Sequence, residues 1–351
     1  MKKKISKESF LTINENAQYF ECGYSCDHAL FLKIGEDKFF ITDSRYTLEA
    51  KQNIFKNIEV LEAGNLFVTA ASIINKSVSN VVVYDPAQVT LNDFENLKST
   101  LNPKKNLIGI VNFHQQKRII KTEYEIDLIT KSQKINQEAY KKFAIYLNES
   151  TKQFNEQELY YHSQRFLSNE GKYNLSFQPI LGINANAAKP HALPSKKDKL
   201  KSGDLLLFDA GVKYQRYCSD RTRTAYFSKK GISFKKNQSF DNEDLQNIYD
   251  VVLKAQEKTI ELIRSGMKGR EIDSIARNVI EKAGYGKYFV HSTGHGIGLD
   301  IHELPFISKK SETIIEDGMV FSVEPGIYIP DYYGVRIEDL VVIKNGRAEI
   351  I

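Results

Sequence analysis

At 351 residues, 41% of them hydrophobic and 26% charged, the chain exceeds one ordinary hydrophobic core and points to two domains. Its formal net charge of +5 comes from lysines spread along the chain without aromatic interleaving, which argues against a nucleic-acid partner, and no apolar run approaches the ~18 residues of a membrane span. Three scattered cysteines (Cys22, Cys26, Cys218) do not make a disulfide framework, and Met-Lys-Lys-Lys leads into Ile-Ser-Lys-Glu-Ser rather than an apolar stretch, so no signal peptide and a cytoplasmic location are expected.

Residues 1–121 read as alternating strands and helices. Ala29–Ile34 and Lys38–Thr42 are expected strands around a Gly-Glu-Asp turn. Ser44–Asn53 follows as a helix, Val81–Tyr84 as a buried strand, Leu91–Leu101 as a helix and Ile108–Val111 as a strand. A basic connector, Gln115–Lys121, closes this first domain, and residues 122–351 form the second.

The second domain carries a duplication. Helices over Glu123–Asn148 and Asn155–Asn169 precede one acidic pair, Asp209 and Asp220; helices over Glu243–Ser265 and Arg270–Ala283 precede another, Glu324 and Glu338. Gly171, Gly266 and Gly284 are read as helix stops. His191-Ala-Leu-Pro recurs as His302-Glu-Leu-Pro at an offset of 111. Gly203 to Asp209 and Ala-Gly recurs as Gly318 to Glu324 and Pro-Gly at an offset of 115, and Asp220 is matched to Glu338 at 118. Several matches in one order argue for two like halves about a pseudo-twofold axis.

Each half is expected to end in a β-hairpin. With a turn centred on Tyr214–Gln215, Asp209 faces Asp220 at ~5 Å between Cβ atoms. Glu324 faces Glu338 across a wider turn near Asp331–Gly334. Acids are depleted in strands and seldom buried unpaired. Four of them in one cleft raise each other's pKa values or bind cations. Two divalent ions offset four carboxylates, held ~3.5–4 Å apart by bridging acids. Carboxylate-rich ligation with one imidazole favours Mn²⁺, Co²⁺ or Fe²⁺, with Zn²⁺ still open. The plainer alternative is salt bridging of these acids to Arg221, Arg223 and Arg336.

Three histidines, His291, His295 and His302, lie between the acidic pairs, and His191 sits at the matching place in the other half. Gly294, Gly296 and Gly298 around His295 suggest close backbone approach or unusual torsions. A phosphate-binding loop is disfavoured, since neither the following helix nor a P-loop lysine is present.

Together, His-Ala-Leu-Pro-Ser, Leu-Leu-Leu-Phe-Asp-Ala-Gly, Ser-Asp-Arg-Thr-Arg-Thr, Gly-His-Gly-Ile-Gly-Leu-Asp-Ile-His-Glu, Val-Glu-Pro-Gly-Ile-Tyr and Val-Arg-Ile-Glu-Asp resemble the pita-bread metallopeptidases. The likeness is to the Xaa-Pro aminopeptidase and Xaa-Pro dipeptidase (prolidase) branch. It implies an α/β (α+β) chain: a C-terminal pita-bread fold behind a smaller creatinase-type α/β domain. That small domain reads as N-terminally trimmed, because Asn16-Ala-Gln-Tyr-Phe-Glu-Cys-Gly begins so early; Asp43-Ser-Arg-Tyr matches the family's strand-end motif.

By this resemblance Asp209 binds one metal in bidentate fashion, Asp220 and Glu338 bridge two, and His295 and Glu324 complete the second. The implied metal is Mn²⁺ or Co²⁺. Bound divalent ions would bring the pKa of a shared water near neutrality. Glu324 is expected to take its proton and pass it to the leaving nitrogen. His302 would steady the oxyanion, His191 and His291 would shape the pocket and contact substrate, and Arg336 would support the ligand residues. The resemblance implies short peptides with proline second as substrates, release of the residue before proline, and a homodimer. Prolidase is the alternative activity. A creatinase-type amidinohydrolase would lack ligands that are present here, a non-catalytic peptide-binding module is a remoter reading, and methionine aminopeptidases lack this N-terminal domain.

Overall fold

The computed structural model describes residues 9–351, and the basic opening residues read above for a signal peptide lie outside the described residues. The chain divides into two units, Met1–Lys117 and Arg118–Ile351.

The first unit is built on β1 (Ser9–Thr12), α1 (Glu15–Cys22), β2 (Ala29–Ile34), β3 (Asp37–Thr42), α2 (Thr47–Asn53), β4 (Glu59–Glu62), α3 (Leu66–Lys76), β5 (Val81–Tyr84), α4 (Leu91–Thr100) and β6 (Asn106–Gly109). Its six strands run β4-β3-β2-β1-β5-β6 in one mixed sheet. The early Asn-rich segment is α1, capped by the Asn14 side chain and closed by Gly23 at φ +77°. The helix expected from Ser44 starts later, at Thr47, because Asp43 accepts the Arg45 N–H and holds that stretch in a turn. The last strand lies at Asn106–Gly109 rather than Ile108–Val111, since its register on β5 pairs Val81 with Asn106. The connector expected over Gln115–Lys121 opens instead as α5 (Phe113–Arg118).

Arg118 and Lys121, read from sequence as the tail of the first domain, hold ion pairs to Asp300 and Glu303 inside the second unit. There α6 (Glu123–Glu149) and α7 (Glu156–Ser168) each start on a capping box, Thr122 with Glu125 and Asn155 with Glu158. Next come β7 (Asn174–Leu175), β8 (Ile180–Ile183), β9 (Leu205–Ala210), β10 (Val212–Tyr214), β11 (Tyr217–Cys218) and β12 (Arg221–Tyr226). The second half repeats the plan. Helices α8 (Glu243–Leu262) and α9 (Gly269–Lys282) precede β13 (Gly294–Gly296), β14 (Glu303–Ile307), β15 (Val320–Val323), β16 (Gly326–Ile329), β17 (Tyr333–Arg336), β18 (Asp339–Lys344) and β19 (Arg347–Ile350). Sheets β12-β9-β8 and β14-β13-β15-β18-β19 carry the acidic strands. Gly284 does follow the end of α9 in a left-handed turn, whereas α8 ends at Leu262 with Ile263 as its cap, so Gly266 belongs to the next turn.

Helix α6 shows why the first hairpin sits where it does. Its buried face carries Ser132, Gln133 and Asn136 among apolar residues, and they are used. Ser132 donates to the Val212 carbonyl at 2.8 Å, Gln133 to Asp220 O at 2.8 Å, and Asn136 to Ala210 O at 2.8 Å. Tyr140 donates to the Phe208 and Arg221 carbonyls. All are backbone carbonyls of the hairpin, and a buried carbonyl that loses a donor is costly. The helix thus fixes the hairpin by hydrogen bonds, while Phe143, Phe208 and Phe234 supply apolar packing beside it. Among the described residues no helix is long and apolar enough to cross a membrane.

Candidate metal centre

Strand register decides which side chains meet. In the second half, β15–β18 pairs Val323 with Asp339 and β16–β17 pairs Gly326 with Arg336. The register is the same on both sides of the gap, so Glu324 faces Glu338, as the turn near Asp331 implied. The first half differs from expectation. Asp209 pairs with Thr222, Ala210 with Arg221 and Tyr214 with Tyr217. The turn therefore centres on Gln215–Arg216, both at positive φ, one residue later than expected. Asp220 falls two positions from Thr222 on the same strand face, a diagonal neighbour of Asp209 rather than its direct partner. The repeat correspondence changes with it: Thr222 is the counterpart of Glu338, and Asp220 that of Arg336.

All nine residues singled out from sequence still converge. His191, Asp209, Asp220, His291, His295, His302, Glu324, Arg336 and Glu338 line one cavity of ≈ 370 Å³. Ligand atoms of Asp220, His295 and Glu338 lie within 4.8 Å of one another. His295 Nε2 stands 3.2 Å from Glu324 Oε1 and 3.6 Å from Asp220 Oδ2. Its Nδ1 faces the Gly296 carbonyl at 3.1 Å, which keeps the proton there and leaves Nε2 as the donor atom for a cation.

Three of the four acids have one oxygen steadied by a protein donor. Asp209 Oδ2 accepts from Arg336 Nη2 at 2.6 Å, Glu338 Oε2 from the Thr222 hydroxyl at 2.7 Å, and Glu324 Oε1 from Ser322 at 2.9 Å. The other oxygens, Asp209 Oδ1, Asp220 Oδ1 and Glu338 Oε1, are buried and take no protein donor. Three unsatisfied carboxylate oxygens on one wall, beside an imidazole nitrogen, are the donor set that a divalent cation requires. The salt-bridge alternative fails for two of its three arginines: Arg221 and Arg223 pair with Asp339 instead, at 3.7 and 2.5 Å.

The electrostatics agree. Burial, then the charges of its neighbours, pushes the Asp220 carboxyl well above the usual carboxylate range, and Glu338 likewise. Burial also raises Asp209, though Arg336 opposes it. For Glu324, burial is outweighed by the hydrogen bond and charge of His295, which bring it down to about 2. His295 is raised in return, against its own burial.

The histidines divide. His302 stacks edge-on to His295 with ring centroids 4.2 Å apart, and burial with that neighbour lowers its pKa. His191 lies at the exposed mouth of the cavity. His291 does not present a free ring nitrogen: Nδ1 faces the Ser292 carbonyl and Nε2 the Tyr328 hydroxyl, each at 2.8 Å. It shapes the wall rather than offering a donor. Tyr328 in turn accepts from Arg336 Nη1 at 2.6 Å. The sequence reading missed Tyr328, Thr222 and Ser322, all inside the motifs it quoted. The glycines around His295 serve close approach, not unusual torsion. A Cβ on Gly294 would lie 1.9 Å from Ser322 O, and one on Gly296 2.3 Å from Leu304 O.

The profile of Metallopeptidase family M24 matches residues 127–345. The chain is 38% identical over 257 residues to an Xaa-Pro dipeptidase of Pyrococcus furiosus, covering 73% of this chain and 69% of that protein. Its fold superposes on the solved Xaa-Pro dipeptidase from Bacillus anthracis with TM-score 0.87 at 30% identity, covering 98% of this chain and 92% of that one. On the X-Pro aminopeptidase from Thermotoga maritima the TM-score is 0.83 at 29% identity, covering 98% and 94%.

Proposed function

Because this chain belongs to metallopeptidase family M24, we propose that it hydrolyses the peptide bond before a proline in second position, releasing the first residue as an Xaa-Pro aminopeptidase. The observation that carries the reading is three donor-less carboxylate oxygens in one cavity, those of Asp220 and Glu338 on residues gathered with His295. Asp209, Asp220, His295, Glu324 and Glu338 would hold two divalent ions, Mn²⁺ by the oxygen-rich donor set, or Co²⁺, Fe²⁺ or Zn²⁺. When bound, these ions supply Lewis acidity to the scissile carbonyl and acidify a water.

The protein's own groups do the rest. Glu324, in the cavity wall beside His295, is placed to accept a proton there and carry it to the leaving proline nitrogen. His302, kept neutral by partial burial, donates an N–H toward the carbonyl oxygen as it gains charge. Arg336 and Thr222 hold Asp209 and Glu338 in place.

The state of Arg336 supports aminopeptidase over dipeptidase. Its guanidinium is committed to Asp209, Thr222 and Tyr328, so it is not at hand for the free carboxylate that a dipeptide presents next to the scissile bond. The second reading, Xaa-Pro dipeptidase, is favoured by the names of the Pyrococcus and Bacillus relatives. Hydrolysis of Ala-Pro, Ala-Pro-Ala and Ala-Ala-Ala by Mn²⁺-loaded protein separates them. Cleavage of Ala-Pro-Ala with Ala-Ala-Ala untouched supports the proposal. Turnover of Ala-Pro alone makes it a prolidase, and turnover of none with Mn²⁺ or Co²⁺ sinks both. Assembly as a cytoplasmic homodimer completes the proposal, to be tested by light scattering and cell fractionation.

A further inference from the structure

His302 lies on the irregular segment between β13 and β14, a place where backbone position is not set by a ladder. What holds it is a buried cluster of opposite charges. Glu303, the next residue, is only 1% exposed. Its Oε2 accepts the Asp300 N–H at 3.2 Å and lies 3.3 Å from Arg118 Nη2, while Oε1 is 2.8 Å from Lys121 Nζ. Arg118 also bonds Asp300 directly. The carboxylate packs against Gly298, where a Cβ would come within 2.6 Å of Oε1. Gly298 O accepts from Cys218 N at 2.8 Å, two residues before Asp220. Two acids and two cations thus close a small loop on both sides of His302. A charge so deeply buried is costly to leave unpaired, and these ion pairs tie the loop down at both Asp300 and Glu303.

We propose that Glu303 is a positioning residue for His302, clamped by Arg118 and Lys121. This rests on the reading of His302 as the group that meets the substrate carbonyl. Misplacement of such a group by about 1 Å costs roughly a hundredfold in rate.

The test is a double-mutant cycle on the metal-loaded enzyme with an Xaa-Pro peptide, using Glu303→Gln and His302→Ala singly and together. Glu303→Gln is expected to lower kcat roughly ten- to a hundredfold with little change in KM or bound metal. In the His302→Ala background it should change kcat less than about twofold, since nothing is left to position. An equal loss in both backgrounds overturns the clamp and leaves the site reading intact. Wild-type kcat in His302→Ala removes the site reading and, with it, the clamp. Should Glu303→Gln fail to fold, Lys121→Gln tests the same point: a smaller kcat loss that vanishes without His302 supports the clamp, and an additive one overturns it.

Discussion

At the scale of single residues, the carboxylates that face the cavity and the hydroxyls behind them make separable predictions. Asp220→Ala and Glu338→Ala should each abolish turnover and bound metal, read by peptide hydrolysis and elemental analysis. Thr222→Val should weaken metal binding by about 10- to 100-fold, because Glu338 Oε2 loses its donor and Arg336 Nε its acceptor. Thr222→Ser should restore it; calorimetric titration with Mn²⁺ reads both. The contrast also explains what the sequence could reveal. Acids and histidines stand out in apolar strands, so all nine cavity residues were legible. Thr222, Ser322 and Tyr328 did not stand out, because hydroxyl and aromatic side chains are ordinary in strands. Their position within the acidic motifs was the available signal.

At the scale of elements, the buried polar residues of α6 help hold the first hairpin in place. Asn136→Leu leaves the Ala210 carbonyl without its donor. It should cost about 1–3 kcal/mol of stability, seen as a melting temperature lowered by a few degrees. A variant melting with the wild type would show that the carbonyl finds another partner. Helix positions were legible from periodicity and capping residues such as Thr122 and Asn155. The first hairpin's register was not. Its turn residues Gln215 and Arg216 adopt φ of +47° and +70° with no glycine or asparagine to mark them. The other turn contains Asp331 at φ +58°, a residue type that signals such geometry, and there the expected pairing holds. In the first unit α3 went unread, although Leu66, Phe67, Ala70, Ala71 and Ile74 give it a buried stripe.

At the scale of the molecule, cation binding and folding are linked. Removing metal by chelation should lower the melting temperature, and Mn²⁺ should restore it. The metal-free protein should also respond to pH in an unusual direction. Asp220 and Glu338 have folded pKa values above their unfolded ones, so the folded state binds extra protons, and stability falls as pH rises from about 4 through that window. Glu324 acts oppositely: its contribution is present above the unfolded value of 4.5 and is lost as pH falls toward about 2. Between pH 7.5 and pH 5.5 Asp220, Glu338 and His295, all raised, should stabilise the chelated protein as pH falls, against the lowered His291 and His302. Chelated Asp220→Asn should therefore gain less melting temperature on acidification than chelated wild type, while the Mn²⁺ form, whose ligands must be deprotonated, should lose stability over the same range. Equal pH dependence of the two chelated proteins would contradict the raised pKa of Asp220. The duplicated halves meanwhile hold unlike residues at equivalent places, Thr222 opposite Asp209 where the other hairpin has Glu338 opposite Glu324, and Asp220 where the other has Arg336. Each hairpin lacks what its sibling provides, so a chimera made from two copies of either half would assemble a cavity with the wrong sum of charge.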